Sequence, residues 1–342
     1  MTTGLVVTGG GGWFGRSFLA SLAETPLELP IDEVRVLVHA PTDVPLVQKS
    51  LPTAKVYVGD VRSEADVAEL FNGLDANHLV HSAAVIHPEK VADFFSINAG
   101  GTERIVRGAL KQGLQRMVHV SSNSPIGTNP SPDEVFRDNE PFNPYYGYGA
   151  SKMQAEVIVR DLLTEASVPA TIVRPPWFYG PYQPERQARF LKTVRLGKFP
   201  LVGKGLNRRS MVYTEHLALG VRLASQTDRP GIGTYWIADP QPYTMLEILD
   251  AVREAARAEG LEVVDKVMKL PNSAGVIAEK VDAALQKRGR YQQEIHVAGE
   301  LNKNIACSID GSRRDLGYDP QVSLVEGMRR SYRYGLENGQ DV

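Results

Sequence analysis

The stretch Gly4–Gly15, GLVVTGGGGWFG, decides the fold of this 342-residue chain. Leu5–Thr8 is short, apolar and bounded by glycine, which predicts a buried strand, and Phe14–Leu22 predicts a helix. The glycines between them permit a tight turn and the close approach of a pyrophosphate, and the helix N-terminus offers free N–H groups and a partial positive charge. The stretch therefore predicts the first strand, turn and helix of a dinucleotide-binding fold.

Cofactor contacts are expected first from this glycine turn, because its backbone can approach the pyrophosphate closely. The turn residues expected to contact the cofactor are Gly9, Gly12, Trp13, Phe14 and Gly15.

The choice between NAD and NADP depends on the end of the second predicted strand, Val34–Val38. An acid there would bind the ribose hydroxyl of NAD, but the strand ends at His39, which we expect to line the cofactor site. Arg16 comes directly after the last glycine and could meet the 2′-phosphate of NADP, whereas Asp43 could serve the ribose if its loop folds back. Together these residues favour NADP slightly over NAD.

Strands and helices alternate through the first half of the chain, which predicts an α/β fold with a doubly wound parallel sheet, a Rossmann fold. The further strands are predicted at Lys55–Val58, His78–His81, Met117–Ser121 and Ala170–Arg174, and the further helices at Ser63–Phe71, Val91–Leu110 and Tyr148–Thr164. Proline and glycine then interrupt the pattern, and helices are predicted at Met245–Glu259, Val276–Lys287 and Leu324–Leu336. We expect a dinucleotide-binding domain over residues 1–175 and a smaller, mainly substrate-binding lobe over residues 176–342, parts of which return to the sheet.

Charge and cysteine content exclude several kinds of partner and site. The formal net charge is −2 and no long basic run occurs, so we expect a small-molecule substrate and neither a nucleic acid nor a membrane as partner. Cys307 is the only cysteine, which leaves no internal disulfide, and we expect no metal site. The first residues lack a basic segment before a long apolar run, and we expect a cytoplasmic protein.

Tyr148 and Lys152 are the strongest catalytic candidates. They lie four residues apart on a predicted helix, which places both side chains on one face. A neighbouring ammonium favours the phenolate, so we expect Lys152 to lower the pKa of Tyr148 toward neutrality and make it a general acid or base. Ser122, at the end of the strand Met117–Ser121, is expected to orient the substrate oxygen toward the tyrosine.

These motifs resemble the extended short-chain dehydrogenase/reductase family, in its NAD-dependent epimerase/dehydratase branch. The resemblance covers nearly the whole chain, and its catalytic triad corresponds to Ser122, Tyr148 and Lys152. The matching stretches also include Gly59-Asp60-Val61, His81-Ser82-Ala83-Ala84, Asn98-Ala99-Gly100-Gly101-Thr102, Arg174-Pro175, Tyr179-Gly180-Pro181 and, near the end, Leu316-Gly317-Tyr318-Asp319-Pro320 with Leu324-Val325-Glu326-Gly327.

The resemblance implies further site residues and an assembly. Its cofactor-contacting positions correspond to Asp60, Val61, Ser82, Ala83, Ala84, Asn98 and Pro175, with Tyr148 and Lys152, and its substrate-contacting positions to Ser122, Asn123, Trp177 and Arg209. Family members are often homodimers through helices that match Val91–Leu110 and Tyr148–Thr164. Dehydratases of the family carry Asp-Glu after the catalytic hydroxyl residue, whereas this chain has Asn123-Ser124, so dehydration is disfavoured.

Three functions stay open at the level of sequence. The first, and favoured, is a nucleotide-sugar epimerase or 4-ketoreductase in which Arg209 holds a phosphate, with Arg186, Arg189 and Lys192 as weaker candidates. The second is a dehydrogenase or ketoreductase of a hydrophobic substrate, because Lys269–Ile309 resembles the C-terminal region of the 3β-hydroxysteroid dehydrogenase branch. The third is a regulator that senses dinucleotide without turnover. A basic pocket at Arg209 would favour the first function, and a pocket walled by Trp177 and the helix around Ala274–Leu285 would favour the second.

Overall fold

A computed structural model describes all of residues 1–342. Its centre is a seven-stranded sheet with the strand order β11-β6-β5-β4-β1-β2-β3, in which every neighbouring pair is parallel. The predicted doubly wound parallel sheet is therefore confirmed. The strands in chain order are β1 (Thr3–Thr8), β2 (Glu33–Val38), β3 (Lys55–Val58), β4 (Ala76–His81), β5 (Leu114–Val120), β6 (Ala170–Arg174), β7 (Trp177–Tyr179), β8 (Pro200–Val202), β9 (Arg208–Arg209), β10 (Met211–Tyr213), β11 (Ile232–Trp236), β12 (Tyr243–Thr244) and β13 (Met268–Leu270).

Helices cover both faces of this sheet and build the C-terminal part of the chain. In chain order they are α1 (Trp13–Glu24), α2 (Val44–Ser50), α3 (Glu64–Phe71), α4 (Val91–Asp93), α5 (Thr102–Lys111), α6 (Tyr146–Glu165), α7 (Glu185–Arg195), α8 (Thr214–Gln226), α9 (Met245–Ala258), α10 (Asn272–Lys287), α11 (Gln293–Glu300), α12 (Asp310–Leu316) and α13 (Leu324–Glu337). None of them combines the length and the apolar content that crossing a membrane requires.

The predicted elements agree with the structure to within a few residues, with one difference in kind. The helix predicted over Val91–Leu110 is α4 and α5 joined by a π-helical segment, Phe94–Gly101. That segment carries Asn98, whose side chain is turned into the protein and bonds a neighbouring loop. Among the elements that the sequence did not predict are α2, α7, α8, α11 and α12, which are short or lack a strict apolar period.

Two hydrophobic cores lie on the two faces of the sheet, and a third lies beyond it. One sheet core packs α1 and α8 against β1 and β5, and the other packs α3, α5 and α6 against the opposite face. The third core is built entirely from residues from Tyr179 onward, chiefly from α7, α9 and α13. The strand β11 pairs with β6 at the sheet edge, so the chain returns to the sheet after leaving it.

A buried ion pair ties the strand β6 to the helix α6. Arg174 donates from Nη2 to Glu156 Oε2 at 2.7 Å and from Nε to Oε1 at 3.0 Å, and Ser121 donates its hydroxyl to the same carboxylate at 2.6 Å. The side chains of Arg174 and Glu156 are 2% and 0% exposed. Because both charges are paired and hydrogen-bonded away from water, this contact fixes α6 against the sheet at the level of the predicted catalytic residues.

Removing one partner of this pair should cost far more stability than removing both. We expect Arg174→Met to lower the free energy of unfolding by about 3–5 kcal/mol, because it leaves the Glu156 carboxylate buried without its counter-charge. The double variant Arg174→Met/Glu156→Leu should recover much of that loss, since no charge remains buried. Urea unfolding of both variants and of the wild type measures the difference; equal stabilities of the single and double variants would contradict this account.

Candidate active site

The glycine turn forms a cradle at the carboxyl ends of β1 and β4. Gly9 has φ +76°, and a Cβ there would lie 2.8 Å from the backbone nitrogen of Ala83. A Cβ on Gly15 would lie 2.3 Å from the carbonyl oxygen of Gly9, so the first turn of α1 packs directly on the loop. Around Gly12, by contrast, a Cβ would meet only that same carbonyl oxygen at 3.2 Å, and its outer side is exposed.

The start of α1 is left free for an anion. Gly12 precedes the helix without any side-chain cap, and the first turn contains no acid. The backbone N–H groups at this end therefore point outward with the positive end of the helix dipole. This arrangement fits the pyrophosphate of a dinucleotide, with Gly9 and Gly15 supplying the close packing and Gly12 the open side.

The side chains of the two aromatic residues in the turn make packing contacts. Trp13 donates its indole N–H to the carbonyl of Pro181 at 2.8 Å and packs edge-on against Phe178. Phe14 is buried and stacks on Phe18. The turn is thereby anchored to the segment after β7.

Arg16 is hydrogen-bonded to the C-terminal helix α13. Its Nη2 donates to the hydroxyl of Tyr334 in α13 at 3.1 Å, and its guanidinium lies 4.8 Å from the centre of the Tyr182 ring. The guanidinium therefore has one hydrogen-bond partner and one aromatic neighbour in the C-terminal part of the chain, and its contact with a 2′-phosphate stays a prediction.

Asp43 lies against the glycine turn. An ideal Cβ on Gly11 would be 2.7 Å from the Cβ and Cγ of Asp43 and 2.9 Å from its Oδ2. The loop after β2 therefore folds back and brings a carboxylate to the turn, the arrangement in which we expected Asp43 to serve the ribose. His39, at the end of β2, is exposed, and its charge contributes to lowering the pKa of Asp60.

Asp60 lies just after β3 and has a cationic partner. Arg62 binds its carboxylate with Nη2 at 2.6 Å from Oδ2, and this hydrogen bond is the largest cause of the lowered pKa of Asp60. The neighbouring Val61 is buried against Gly101 of the π-helical segment, where a Cβ would lie 2.5 Å from a methyl carbon of Val61. Asp60 and Val61 thus lie at the carboxyl ends of the strands, as the glycine turn does.

The end of β4 is bonded to the end of β1. Ser82 donates its hydroxyl to the carbonyl of Thr8 at 2.7 Å, and the N–H of Ala83 donates to the hydroxyl of Thr8 at 3.2 Å. His81 bridges the Thr8 and Thr102 hydroxyls at 2.7 and 2.9 Å, and burial lowers its pKa to about 3, so it is neutral. Ala84 comes next in the same half-buried stretch.

Asn98 has a structural role in this arrangement. Its side-chain oxygen accepts from the N–H of Val85 at 2.8 Å, and its amide donates to the carbonyl of Val85 and the hydroxyl of Ser151, both at 3.0 Å. Ser151 in turn donates to the carbonyl of Tyr148 at 2.8 Å. The amide therefore connects the loop after β4 to the first turns of α6, which carry the tyrosine.

Ser122, Tyr148 and Lys152 meet beside the carboxyl end of β5. Ser122 lies just after that strand, and its hydroxyl is 3.2 Å from that of Ser124 and 3.4 Å from the Asn123 side-chain oxygen. Tyr148 is half-buried on α6 beside Phe94, with ring centres 5.8 Å apart. Lys152 is fully buried, and its ammonium donates to the carbonyl of Val120 at 2.9 Å.

The prediction that the pKa of Tyr148 falls toward neutrality is wrong. Burial raises the pKa of Tyr148 above its ordinary value, and the groups that oppose this are a hydrogen bond with Ser122 and the charge of Arg186. Burial also lowers the pKa of Lys152 to about 8, with Glu156 opposing it. The protein environment therefore holds Tyr148 as a neutral phenol, because burial penalises the phenolate more than the neighbouring positive charge favours it.

The start of α6 is held under strain by the C-terminal part of the chain. Tyr146 has φ +62°, a left-handed conformation that is unfavourable for a tyrosine. Its hydroxyl donates to the carbonyl of Glu279 in α10 at 3.1 Å, and Gln286 of the same helix accepts from the N–H of Gly147 at 2.9 Å. The helix α10 thereby fixes the backbone two residues before Tyr148.

Arg209, the predicted phosphate ligand, is covered by α11. Its side chain is 8% exposed, and Nη1 donates to the carbonyl of Glu300 at 3.1 Å, while Nη2 lies 3.8 Å from the Glu300 carboxylate. The guanidinium also lies 5.4 Å from the centre of the Trp177 ring. The predicted residues Arg209 and Trp177 are thus brought together, but as a pair that faces a carboxylate.

Glu300 is itself part of a buried network. Tyr145 donates its hydroxyl to this carboxylate, and His296 Nε2 lies 3.7 Å from it. Burial raises the pKa of Glu300 to about 7, and Lys303 opposes this shift. A cluster of aromatic and acidic side chains around α11 therefore lies where the sequence led us to expect a basic pocket.

Tyr291 and Arg186 also reach the catalytic tyrosine, and sequence reasoning gave them no catalytic role. Tyr291 is buried, packs edge-on against Phe94 at 5.2 Å, and its hydroxyl lies 3.0 Å from His87 Nδ1. The charge of Arg186 lowers the pKa values of both Tyr148 and Tyr291. No local motif marks either residue, because each comes from a segment distant in sequence. Pro175 closes the site from the end of β6, where its carbonyl accepts from the N–H of Asn123 at 3.2 Å.

Known proteins with the same overall structure include nucleotide-sugar enzymes. The structure of dTDP-glucose 4,6-dehydratase from Streptomyces venezuelae, with NAD and TYD bound, matches 98% of this chain and 97% of its own, with a TM-score of 0.77 and 26% identity. The comparison shows that this chain shares the overall fold of that NAD-bound enzyme.

Relatives by sequence extend over the whole chain. The uncharacterized protein y4nL of Sinorhizobium fredii is 40% identical over 98% of this chain and 96% of its own length. The 2-alkyl-3-oxoalkanoate reductase of Stenotrophomonas maltophilia is 28% identical over 95% of this chain and 97% of its own. The family model that describes the NAD dependent epimerase/dehydratase family matches residues 5–238. The glycine turn, the strand-end motifs and the Ser-Tyr-Lys set all lie inside those residues, and the chain belongs to the NAD-dependent epimerase/dehydratase family of the extended short-chain dehydrogenases/reductases.

Proposed function

We propose that this protein is an NAD-dependent ketoreductase or dehydrogenase of a hydrophobic secondary alcohol or ketone that carries no nucleotide diphosphate. The main observation behind the proposal is that α11 covers Arg209. Its guanidinium donates to the Glu300 carbonyl, faces the Glu300 carboxylate and lies over the Trp177 ring, and the side chain is only 8% exposed, so little of it is accessible to phosphate oxygens. In its ionised form, present above its pKa of about 7, Glu300 also repels a diphosphate.

Other walls of the proposed site are aromatic. Phe94 and Tyr291 pack beside Tyr148, and Trp177 packs against Phe190 at 5.0 Å on the side of Arg209. Aromatic side chains give a large apolar contact area to a ring or alkyl substrate. The 2-alkyl-3-oxoalkanoate reductase related to this chain acts, by its name, on a ketone with alkyl chains, and the proposal extends that chemistry to this site.

A nucleotide-sugar reaction is the second candidate, supported by the dTDP-glucose 4,6-dehydratase structure that matches the chain. Against it stand the Glu300 contact and the lack of an acid at Asn123 and Ser124, the positions after the catalytic hydroxyl. A non-catalytic dinucleotide sensor is disfavoured, because Tyr148 and Lys152 are both present and both lie at the strand ends beside Ser122.

In the proposed reaction the chain's own residues bind, orient and protonate the substrate. Bound NAD, in its two redox states, accepts or supplies the hydride. Ser122 donates a hydrogen bond to the substrate oxygen, and Tyr148 gives that oxygen a proton during reduction or removes it during oxidation. Because burial raises its pKa, Tyr148 is protonated at neutral pH and can act as the acid in the reduction of a ketone. Lys152, whose lowered pKa is still about 8, carries positive charge at neutral pH and stabilises the phenolate that results.

NAD rather than NADP is proposed as the cofactor. Asp43 places a carboxylate beside Gly11, where it can accept from a ribose hydroxyl and repel a 2′-phosphate. Arg16, the one residue near the turn that favoured NADP, is bonded to Tyr334.

A homodimer stays a prediction. The helical segments expected to form it expose Phe95 and Val157, 37% and 38% accessible, at the surface of the isolated chain. Exposed apolar side chains on both segments support a helix-to-helix contact between two copies.

Replacing the proposed acid should stop the chemistry without releasing the cofactor. We expect Tyr148→Phe to lower kcat about 10²–10⁴-fold, because the phenol proton is lost while the ring keeps its packing on Phe94. The dissociation constant for NAD, measured by titration calorimetry, should change little. Tyr57→Phe, on the edge strand β3, is the control and should keep full turnover. Wild-type turnover in Tyr148→Phe would end the assignment.

Changing the acid at the glycine turn should change cofactor preference. We expect Asp43→Asn to weaken NAD binding about 10–150-fold, since a charge-assisted hydrogen bond to the ribose contributes about 1.5–3 kcal/mol, and to weaken NADP binding much less. Asp319→Asn, on the surface and bonded only to Gln321, is the matched control. Calorimetric titration with both cofactors tests this, and an unchanged preference would show that Asp43 does not read the ribose.

The substrate class is tested at Arg209. We expect the wild type to oxidise NADH in the presence of alkyl-substituted 3-oxo acids or 3-oxosteroids, and to bind UDP and dTDP weakly. Glu300→Ala should tighten UDP binding about tenfold, because removing one like charge beside the phosphate contributes about 1.4 kcal/mol. Glu294→Ala, an acid at the start of the same helix, should not. Turnover of nucleotide sugars by the wild type that exceeds turnover of every hydrophobic ketone would overturn the proposal.

A further inference from the structure

The helix α10 turns one acid inward and pairs the other with a lysine, while three of its aliphatic residues face outward. Asp282 is buried and its Oδ2 lies 2.7 Å from His296 Nδ1 of α11, with a further bond from Gln286 at 3.0 Å. Glu279 is paired with Lys303 at 2.6 Å. A surface helix normally places apolar residues toward the core and charged residues toward water, and this helix departs from that pattern.

Its outward side is a continuous strip of aliphatic and cationic side chains. Val276, Ile277 and Val281 are 43%, 61% and 42% exposed. At 100° per residue the exposed positions from Ser273 onward fall within an arc of about 140°. We call this arc the outer face of α10; it consists of Val276, Lys287, Lys280, Ser273, Ala284, Ile277, Arg288 and Val281, and it contains no acid.

We propose that the outer face of α10 docks on the surface of an anionic lipid bilayer. Aliphatic side chains of this face would enter the boundary between head groups and acyl chains, while Lys280, Lys287 and Arg288 contact the anionic head groups. The net charge of −2 for the whole chain does not reveal this face, because Asp282 of the same helix is buried against His296 and Glu279 is paired with Lys303.

A second copy of the chain fits this face poorly. A two-fold contact pairs the same surface with itself, so the three cations of one outer face would meet the three cations of the other. No acid on the face could neutralise them. An anionic lipid surface, by contrast, meets both requirements of the face, apolar contact and negative charge.

The position of α10 relates the docking to access of the substrate, and this step of the inference rests on the proposed function. The helix α10 bonds the first residues of α6, through Glu279 to Tyr146 and through Gln286 to Gly147, next to the catalytic Tyr148. A hydrophobic ketone or alcohol partitions into lipid, so a lipid-bound α10 brings the site to the phase that holds the substrate.

Vesicle flotation tests the docking itself, without substrate or cofactor. The wild type should float with phosphatidylcholine vesicles that contain phosphatidylglycerol, and far less with phosphatidylcholine alone, and added salt should weaken the binding. Ile277→Glu/Val281→Glu should abolish flotation. Lys280→Gln/Lys287→Gln should weaken it about 25-fold, since one cation near an anionic surface contributes about 1 kcal/mol, or roughly fivefold.

Controls separate this proposal from the others. Leu336→Glu, an exposed aliphatic on α13, should float like the wild type. All variants should keep wild-type turnover of a short, water-soluble ketone, so loss of flotation and loss of activity are distinguishable. Failure of the wild type to float, or flotation of Ile277→Glu/Val281→Glu at the wild-type level, overturns the proposal. A wild-type dimer in sedimentation that the same variant dissociates, with no vesicle binding, assigns the face to a second copy instead.

Discussion

The close approach of β1 and β4 at their carboxyl ends is the constraint on which the rest of the structure depends. There the backbone of Gly9 passes against Ala83 with no room for a side chain, and Thr8 is bonded from Ser82 and Ala83. The strand order reverses between these two strands, and that reversal opens the crevice in which open α/β sheets bind ligands. A bulkier residue at Gly9 would close the crevice and displace the helix α1 that points at it.

The position of this crevice determines where the proposed catalytic residues lie. β5 is the next strand along, so Ser122 emerges beside it, and α6 is fixed against the sheet by the buried pair of Arg174 and Glu156. Asn98, bonded to Ser151, links the loop after β4 to the same helix. Several independent contacts therefore hold Tyr148 in place, and its backbone need not reorganise when a substrate binds.

The hairpin of α10 and α11 makes several of the contacts that shape the candidate site. It bonds the strained start of α6 at Tyr146, places Tyr291 beside the catalytic tyrosine and sets Glu300 on Arg209. In the same hairpin Asp282 is bonded to His296 and Glu279 is paired with Lys303, while several aliphatic residues of α10 lie at the surface. The proposed substrate selection at the inner side and surface contact at the outer side are thus properties of one element.

The sequence by itself determined the fold and singled out the candidate catalytic set. The glycine turn, the alternation of strands and helices, and the four-residue spacing of Tyr148 and Lys152 depend on local backbone and periodicity rules, which require no knowledge of distant residues. Only the tertiary structure decided the pairing of Arg209 with Glu300, the return of Asp43 to Gly11 and the commitment of Arg16 to Tyr334. It also reversed the expected direction of the Tyr148 pKa, because burial and charge at a side chain are sums over neighbours that the chain brings together only on folding.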